Sequence, residues 1–298
     1  MRIDQILDER RPVFSFEFYP PKDEPGELAL AAALTDLVDD QPDFVSITYG
    51  AAGSTRDGTV EWTTRIKREY GLEAMAHLSC VGTTVDELRE ILSEIGQAGI
   101  ENVLALRGDP PRGQKDFEAT EGGLTSSDQL AALIRKEFGY TVGATCFPEK
   151  HPDAIDAEAD IAFARKKVEA GASFLISQLF FENDLFFDFV ERAREAGITV
   201  PIMAGIMPVQ SYGQIKRITD LCDASIPDTL DRELAERDGD SEAVATMGIA
   251  YATLQCADLL ARGAQGIHFY TLNKSPATRA ILAALRAARP WDRVEEPV

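Results

Sequence analysis

The sequence predicts a (β/α)8 barrel, an α/β TIM-barrel fold, and three observations carry the prediction. Short apolar runs rich in Val, Ile, Phe and Ala alternate with longer segments of helical period, the mark of repeated βα units on a parallel sheet. Eight such runs fit within 298 residues with no Gly/Ser-rich or Pro-rich linker between them, which suits one barrel. An open dinucleotide-binding sheet would carry GxGxxG after an early strand, yet Ser15 to Pro21 contains no Gly and the Gly50 to Gly53 stretch lacks the spacing. The expectation is a single domain over residues 1–298.

The first strand is expected over Val13 to Tyr19, closed by Pro20-Pro21; Ser15, Glu17 and Tyr19 face inward and Phe16 and Phe18 outward. The second, Phe44 to Tyr49, sets Ser46 and Thr48 inward against Val45 and Ile47. The third is Glu73 to Ser79. In the fourth, Asn102 to Gly108, polarity assigns Ala105, Arg107 and Asp109 to the inside and Leu104 and Leu106 to the helices. The remaining strands are Thr141 to Phe147, Phe174 to Phe180, Pro201 to Met207 and Gly266 to Leu272. Helices such as Asp86 to Ala98 and Ala157 to Ala170 run between them, ending at Gly99 and Gly171, which suit a left-handed cap. The long interruption from Cys222 to Gly263 holds Ile226-Pro227-Asp228, an acidic helix and an apolar one, and predicts an extra helix between the seventh and eighth strands.

Composition narrows the function classes. Hydrophobic residues make up 45% and charged residues 27%, enough to fill a large core. The formal net charge of −20 argues against non-specific binding to nucleic acid or an anionic membrane surface. An anionic ligand would need a local basic cluster, for which Arg107, Lys166, Lys167 and Lys274 are the candidates. Four cysteines without a CxxC pair and without a leader predict a reduced, cytoplasmic protein, and no apolar run reads as a membrane span.

Barrel chemistry sits where the strands end. Those ends deliver Glu17; Thr48-Tyr49-Gly50-Ala51; His77; Arg107-Gly108-Asp109; Phe147 through Glu149 to His151; Gln178; the segment after Met207-Pro208; and Asn273-Lys274. Glu17 interrupts a run of aromatics, and desolvation there would raise its pKa and suit it to hold a proton; the alternative is a strand-end carboxylate paired with an Arg. Three histidines lying singly predict no metal centre. No GxSxG elbow and no Lys within a strand support nucleophilic or Schiff-base chemistry. What remains is a proton donor beside an anionic cofactor. Asp160 and Lys167 fall on one face of a helix, suited to ribose hydroxyls and a diphosphate, or else form an ordinary solvated face.

Eight stretches in order resemble the methylenetetrahydrofolate reductase family in its short bacterial form: Phe14-Ser15-Phe16-Glu17-Phe18-Tyr19-Pro20-Pro21, Ser46 to Ala51, His77-Leu78-Ser79-Cys80, Leu104 to Asp109, Pro148-Glu149-Lys150-His151-Pro152, Gln178-Leu179-Phe180-Phe181, Gly205-Ile206-Met207-Pro208 and His268 to Asn273. The resemblance implies a barrel holding FAD, reduced by NADH or NADPH, that turns 5,10-methylenetetrahydrofolate into 5-methyltetrahydrofolate in the one-carbon metabolism serving methionine biosynthesis. It also implies a homo-oligomer. Glu17 matches the family's general acid, whose proton would open the imidazolidine ring, and Asp109 matches the acid beside flavin and pterin. Substrate contacts carry over to Gln178, Tyr212, Lys274 and Thr48. Cofactor contacts carry over to Thr48, Tyr49, Ala51, His77, Arg107, Gly108, Asp109, Phe147, His151, Ala154, Asp160, Lys166 and Lys167. Phe147 stands where a Tyr is common, and Tyr212 where a Phe is. Flavin-independent reduction of the same substrate, a folate-binding methyltransferase-type barrel, a non-catalytic subunit of a redox complex and, less well matched because its substrate needs no acid placed like Glu17, a proline dehydrogenase-type FAD barrel are the alternatives.

Overall fold

A computed structural model describes residues 1–49, 56–108 and 120–293. The elements run α1 (Ile3–Glu9), β1 (Val13–Phe18), α2 (Glu24–Val38), β2 (Phe44–Ile47), α3 (Arg56–Glu69), β3 (Ala74–Ser79), α4 (Val85–Gln97), β4 (Asn102–Leu106), α5 (Ser127–Glu137), β5 (Thr141–Cys146), α6 (Ala157–Glu169), β6 (Ala172–Ser177), α7 (Asn183–Glu195), β7 (Ile202–Ile206), α8 (Tyr212–Cys222), α9 (Asp228–Ala235), α10 (Ser241–Ala261), β8 (Gly266–Tyr270) and α11 (Pro276–Ala288). The eight strands are parallel and close in chain order into a barrel, β8 returning to β1 with Val13 opposite Gly266 and Glu17 opposite Tyr270. Seven strands lie within two residues of their expected spans, and β6 starts two residues before its expected span and ends three residues short of it. Gly99 and Gly171 take the positive φ expected of them, +79° and +121°.

Two cores explain the closure. Phe16, Phe18, Val45 and Ile47 join the layer between strands and helices, as the alternation in β1 and β2 predicts. A second, smaller cluster collects Val13, Phe44, Met75, Leu104, Phe174, Ile176 and Met203, which come from six different strands and meet only inside the barrel. The parity expected for β4 is therefore reversed: Leu104 fills the interior with Leu106 packed against it, and Ala105 faces the helices. Polarity marks the inside only near the mouth. Deeper down the interior is itself apolar packing, and Arg107 and Gly108 lie beyond the last residue of β4.

Helix α1 was not expected, because seven residues are too few to show a helical period. It stoppers the far end of the barrel with Ile3, Ile6 and Leu7. Asn102, fully buried at the start of β4, holds it there: Oδ1 accepts from the Ile3 amide at 2.8 Å, and Nδ2 donates to Met1 O at 3.2 Å and Glu73 Oε1 at 2.9 Å. Asn102→Leu strands these polar groups and is expected to cost about 2–3 kcal/mol. Urea unfolding measures it, and an unmoved midpoint would show that this side chain does not hold the stopper.

Between β7 and β8 the chain adds α9 and the long α10. Helix α10, of 21 residues, is long and apolar enough by length and composition to cross a membrane, a correction to the sequence expectation. In this fold it serves as a packing helix, burying Val244, Gly248, Ala252, Cys256, Leu259 and Leu260 and touching α7, α11 and β7.

Candidate active site

The seam where β8 meets β1 fixes the end of the first strand. Thr271 Oγ1 donates to Glu17 O at 2.6 Å, while Asn273 accepts from the Tyr19 amide at 2.9 Å and donates to Tyr19 O at 2.8 Å. Leu272 and Asn273 both take positive φ, 53° and 57°, to make that turn. Glu17 thus projects inward at the mouth, its side chain 18% exposed. Glu17 Oε2 stands 3.3 Å from His268 Nε2 and 3.5 Å from His77 Nε2. On the other edge of the fully buried His268 ring, Nδ1 lies 2.7 Å from Ser15 Oγ.

This environment is not the one the aromatic run suggests. Phe16 and Phe18 point away into the outer layer, and the neighbours of Glu17 are imidazoles. Burial pushes the Glu17 carboxyl up, but the hydrogen bond with His268 and the attraction of His77 and His268 outweigh it, so its pKa lies below the usual 4.5. The desolvation-raised acid expected from sequence is overturned for the uncovered barrel. Burial also pushes His77 from 6.5 down to about 4, with Glu17 pulling the other way, so His77 is neutral near neutral pH.

A stability consequence follows from His77. Below pH 6.5 the unfolded chain takes up a proton that the folded one refuses until about pH 4, so this group subtracts stability as pH falls through that window and has no effect above it. The loss at the lower end is roughly 3 kcal/mol. Urea midpoints followed from pH 7 to pH 4 should fall more steeply for the parent than for His77→Gln; parallel curves would remove His77 as the cause.

A second group gathers at the ends of β4 and β5. Arg107 Nη2 pairs with Asp153 Oδ2 at 2.8 Å, and the Asp153 amide donates to His151 Nδ1 at 3.0 Å. Phe147 meets the His151 ring edge to face at 4.6 Å. Lys150 ties this turn together, donating to His151 O at 3.1 Å and Ala154 O at 2.8 Å. From α6, Asp160 and Lys167 are both buried on the inward face, as their spacing predicts, and burial raises the first pKa and lowers the second. Lys167 Nζ donates to Thr145 O at 2.8 Å and lies 4.8 Å over the Phe163 ring; its neighbour Lys166 is exposed. Gly108 has φ +90°, and a Cβ there would overlap Ser79 Oγ and come 2.5 Å from Val81 Cγ1. Only glycine fits that turn.

The other expected residues are spread round the rim. Gln178 Oε1 accepts from the Leu179 amide at 2.8 Å. The Tyr212 hydroxyl donates to Asp231 Oδ1 at 3.2 Å, an oxygen shared with Lys216. Thr48 donates its amide to Phe18 O at 2.8 Å, Tyr49 packs on the outer core, and Lys274 is exposed. Ala51 and Asp109 lie outside the described residues. Sequence reading missed Ser15, His268 and Thr271 as site residues, and named Asn273 only as a strand-end residue. The signal for His268 was its parity, which becomes legible only when β8 is laid beside β1.

A closed barrel with a carboxylate between two imidazoles at its mouth, and with buried Lys167 and Asp160 and a glycine turn among its site residues, has the layout of a (β/α)8 enzyme. Residues 2–286 match the family described as methylenetetrahydrofolate reductase. The chain belongs to the methylenetetrahydrofolate reductase family. It is 39% identical over 311 residues to methylenetetrahydrofolate reductase (NADH) 1 of Arabidopsis thaliana, covering 98% of this chain and 52% of that protein. It is 36% identical over 271 residues to 5,10-methylenetetrahydrofolate reductase of Escherichia coli strain K12, covering 91% of this chain and 90% of that one. The chain spans about half the length of the plant relatives it matches. Among solved structures, an uncharacterized protein from Clostridium thermocellum that binds two copies of 5-methyl-5,6,7,8-tetrahydrofolic acid shares the fold, with TM-score 0.63, 15% identity and coverage of 97% of this chain and 99% of that one.

Proposed function

We propose that the protein reduces 5,10-methylenetetrahydrofolate to 5-methyltetrahydrofolate with electrons from NADH, using bound FAD. The single observation that carries this reading is the placement of Glu17, the residue matching the family's general acid, at the barrel mouth between two imidazoles. NADH is the proposed donor over NADPH because the plant relatives carry NADH in their names.

The residues fit the cofactor. Lys167 and Arg107 put positive charge beside the Gly108 turn in a chain of net charge −20, where a diphosphate needs it. Asp160 and His151 offer acceptors and donors for ribose hydroxyls, the Gly108 turn packs tightly on Ser79 and Val81, and Phe147 presents an aromatic face. Thr48, Tyr49, Ala51, Ala154, Lys166 and Asp109 complete the proposed set. When bound, FAD would accept hydride from the nicotinamide and pass it to the folate.

Glu17 supplies the proton. In the uncovered barrel it is ionised, and a flat substrate sealing the mouth strips the remaining water from its carboxyl, which favours the protonated form. The proton then passes to the imidazolidine ring and opens it. Gln178, Tyr212 and Lys274 would hold the pterin, its flank and the glutamate tail.

The test is an absorption spectrum of the purified protein in the flavin range, before and after anaerobic NADH and then methylenetetrahydrofolate. Flavin bands that bleach with NADH and return with the folate are expected. A colourless protein that oxidises NADH only when the folate is present would replace the flavin route by direct hydride transfer.

A further inference from the structure

Both imidazoles at the mouth converge on one oxygen of Glu17. His268 Nε2 and His77 Nε2 stand 3.3 and 3.5 Å from Oε2, and among the described residues no Lys or Arg pairs with this carboxylate. A carboxylate only accepts, so His268 carries its proton on Nε2, and its Nδ1 accepts from the Ser15 hydroxyl at 2.7 Å. His77 is different. Its side chain is 5% exposed, and Nε2 is a buried polar atom with no hydrogen bond in the resting geometry. A buried N–H left unpaired is costly, and the acceptor in front of it is Glu17 Oε2, a few tenths of an ångström beyond bonding distance.

We propose that His77 is a positioning residue for the proton donor: its Nε2–H joins that of His268 on Oε2, which fixes Oε2 as the accepting oxygen and leaves the transferable proton on Oε1. The inference rests on Glu17 being the acid. The groups facing Glu17 are His77 from β3, His268 and Tyr270 from β8, and Ser15 behind His268 from β1. The Tyr270 hydroxyl is committed to Ser177 O at 2.7 Å, and burial with the Glu17 charge holds its pKa well above the ordinary value, so it remains a neutral neighbour. That leaves two N–H donors to set which oxygen is free. Each donor also favours the carboxylate over the acid, so removing one makes Glu17 a weaker acid.

The experiment is nuclear magnetic resonance on the purified full chain, labelled with ¹³C at Glu carboxyls and ¹⁵N in His rings. The Glu17 signal is assigned by its loss in Glu17→Gln. In the parent at neutral pH the His77 proton is expected on Nε2, and in His77→Leu the Glu17 titration midpoint is expected to rise by about one pH unit. His77→Gln, which keeps an N–H within reach, is expected to stay closer to the parent. A His77 proton found on Nδ1 in the parent overturns the proposal whether or not His77→Leu folds, and so does an unmoved Glu17 midpoint in a folded His77→Leu. If Glu17→Gln instead spares folate reduction, the acid assignment falls, a result read separately from these spectra.

Discussion

Glu17→Gln is expected to leave reduction of the flavin by NADH near the parent rate while reduction of methylenetetrahydrofolate falls about 10²- to 10⁴-fold. Gln keeps the volume of the side chain and an oxygen for the two imidazoles, so the geometry around His77 and His268 survives. What it lacks is a transferable proton, and only the folate half of the cycle needs one. Stopped-flow traces of each half-reaction separate the two. Equal damage to both would mean that Glu17 shapes the site and does not donate. The parent should also lose the folate step as pH rises, since a carboxyl that starts below 4.5 must be driven to its acid form by the sealed complex.

Gly108→Ala is expected to destabilise the protein by about 2–4 kcal/mol and to abolish flavin retention. The added methyl meets Ser79 Oγ and Val81 Cγ1 at a backbone angle of φ +90° that L side chains rarely adopt. Ser79 cannot simply turn away, because its hydroxyl donates to Arg107 O at 2.9 Å and accepts from the Val81 amide at 3.2 Å. The strain therefore spreads to Arg107 and to the Asp153 pair it holds. Unfolding midpoint and flavin absorbance per chain measure the two effects, and a variant that keeps its midpoint would show that the turn relaxes freely.

The eight strands were legible because apolar runs of strand length punctuated by helices leave few other folds. The inner surface was legible only in part. Toward the mouth, from Ser15 in β1 and Val45 in β2, the alternation of polar and apolar residues coincides with inside and outside, whereas Val13, Phe44 and, in β4, Leu104 point inward because the lower barrel is filled with hydrocarbon. Glu17 was recognisable as unusual from its aromatic neighbours, yet the reason was misread: those rings turn outward, and the residues that set its charge come from β3 and β8, far along the chain. Lys167 and Asp160 could be placed on one helix face from spacing alone, but spacing could not tell that Lys166 looks to solvent. Helix α1 was too short to read.

Glu17, the proposed acid, and its partner His268 lie 251 positions apart, on the two strands that meet last in chain order. A ribosome must therefore finish β8 before the reactive centre exists at all, and any partly folded form with an open ring lacks it. Recovery of folate reduction during refolding should follow the slow formation of this most distant pairing, so that activity itself reports completion of the fold.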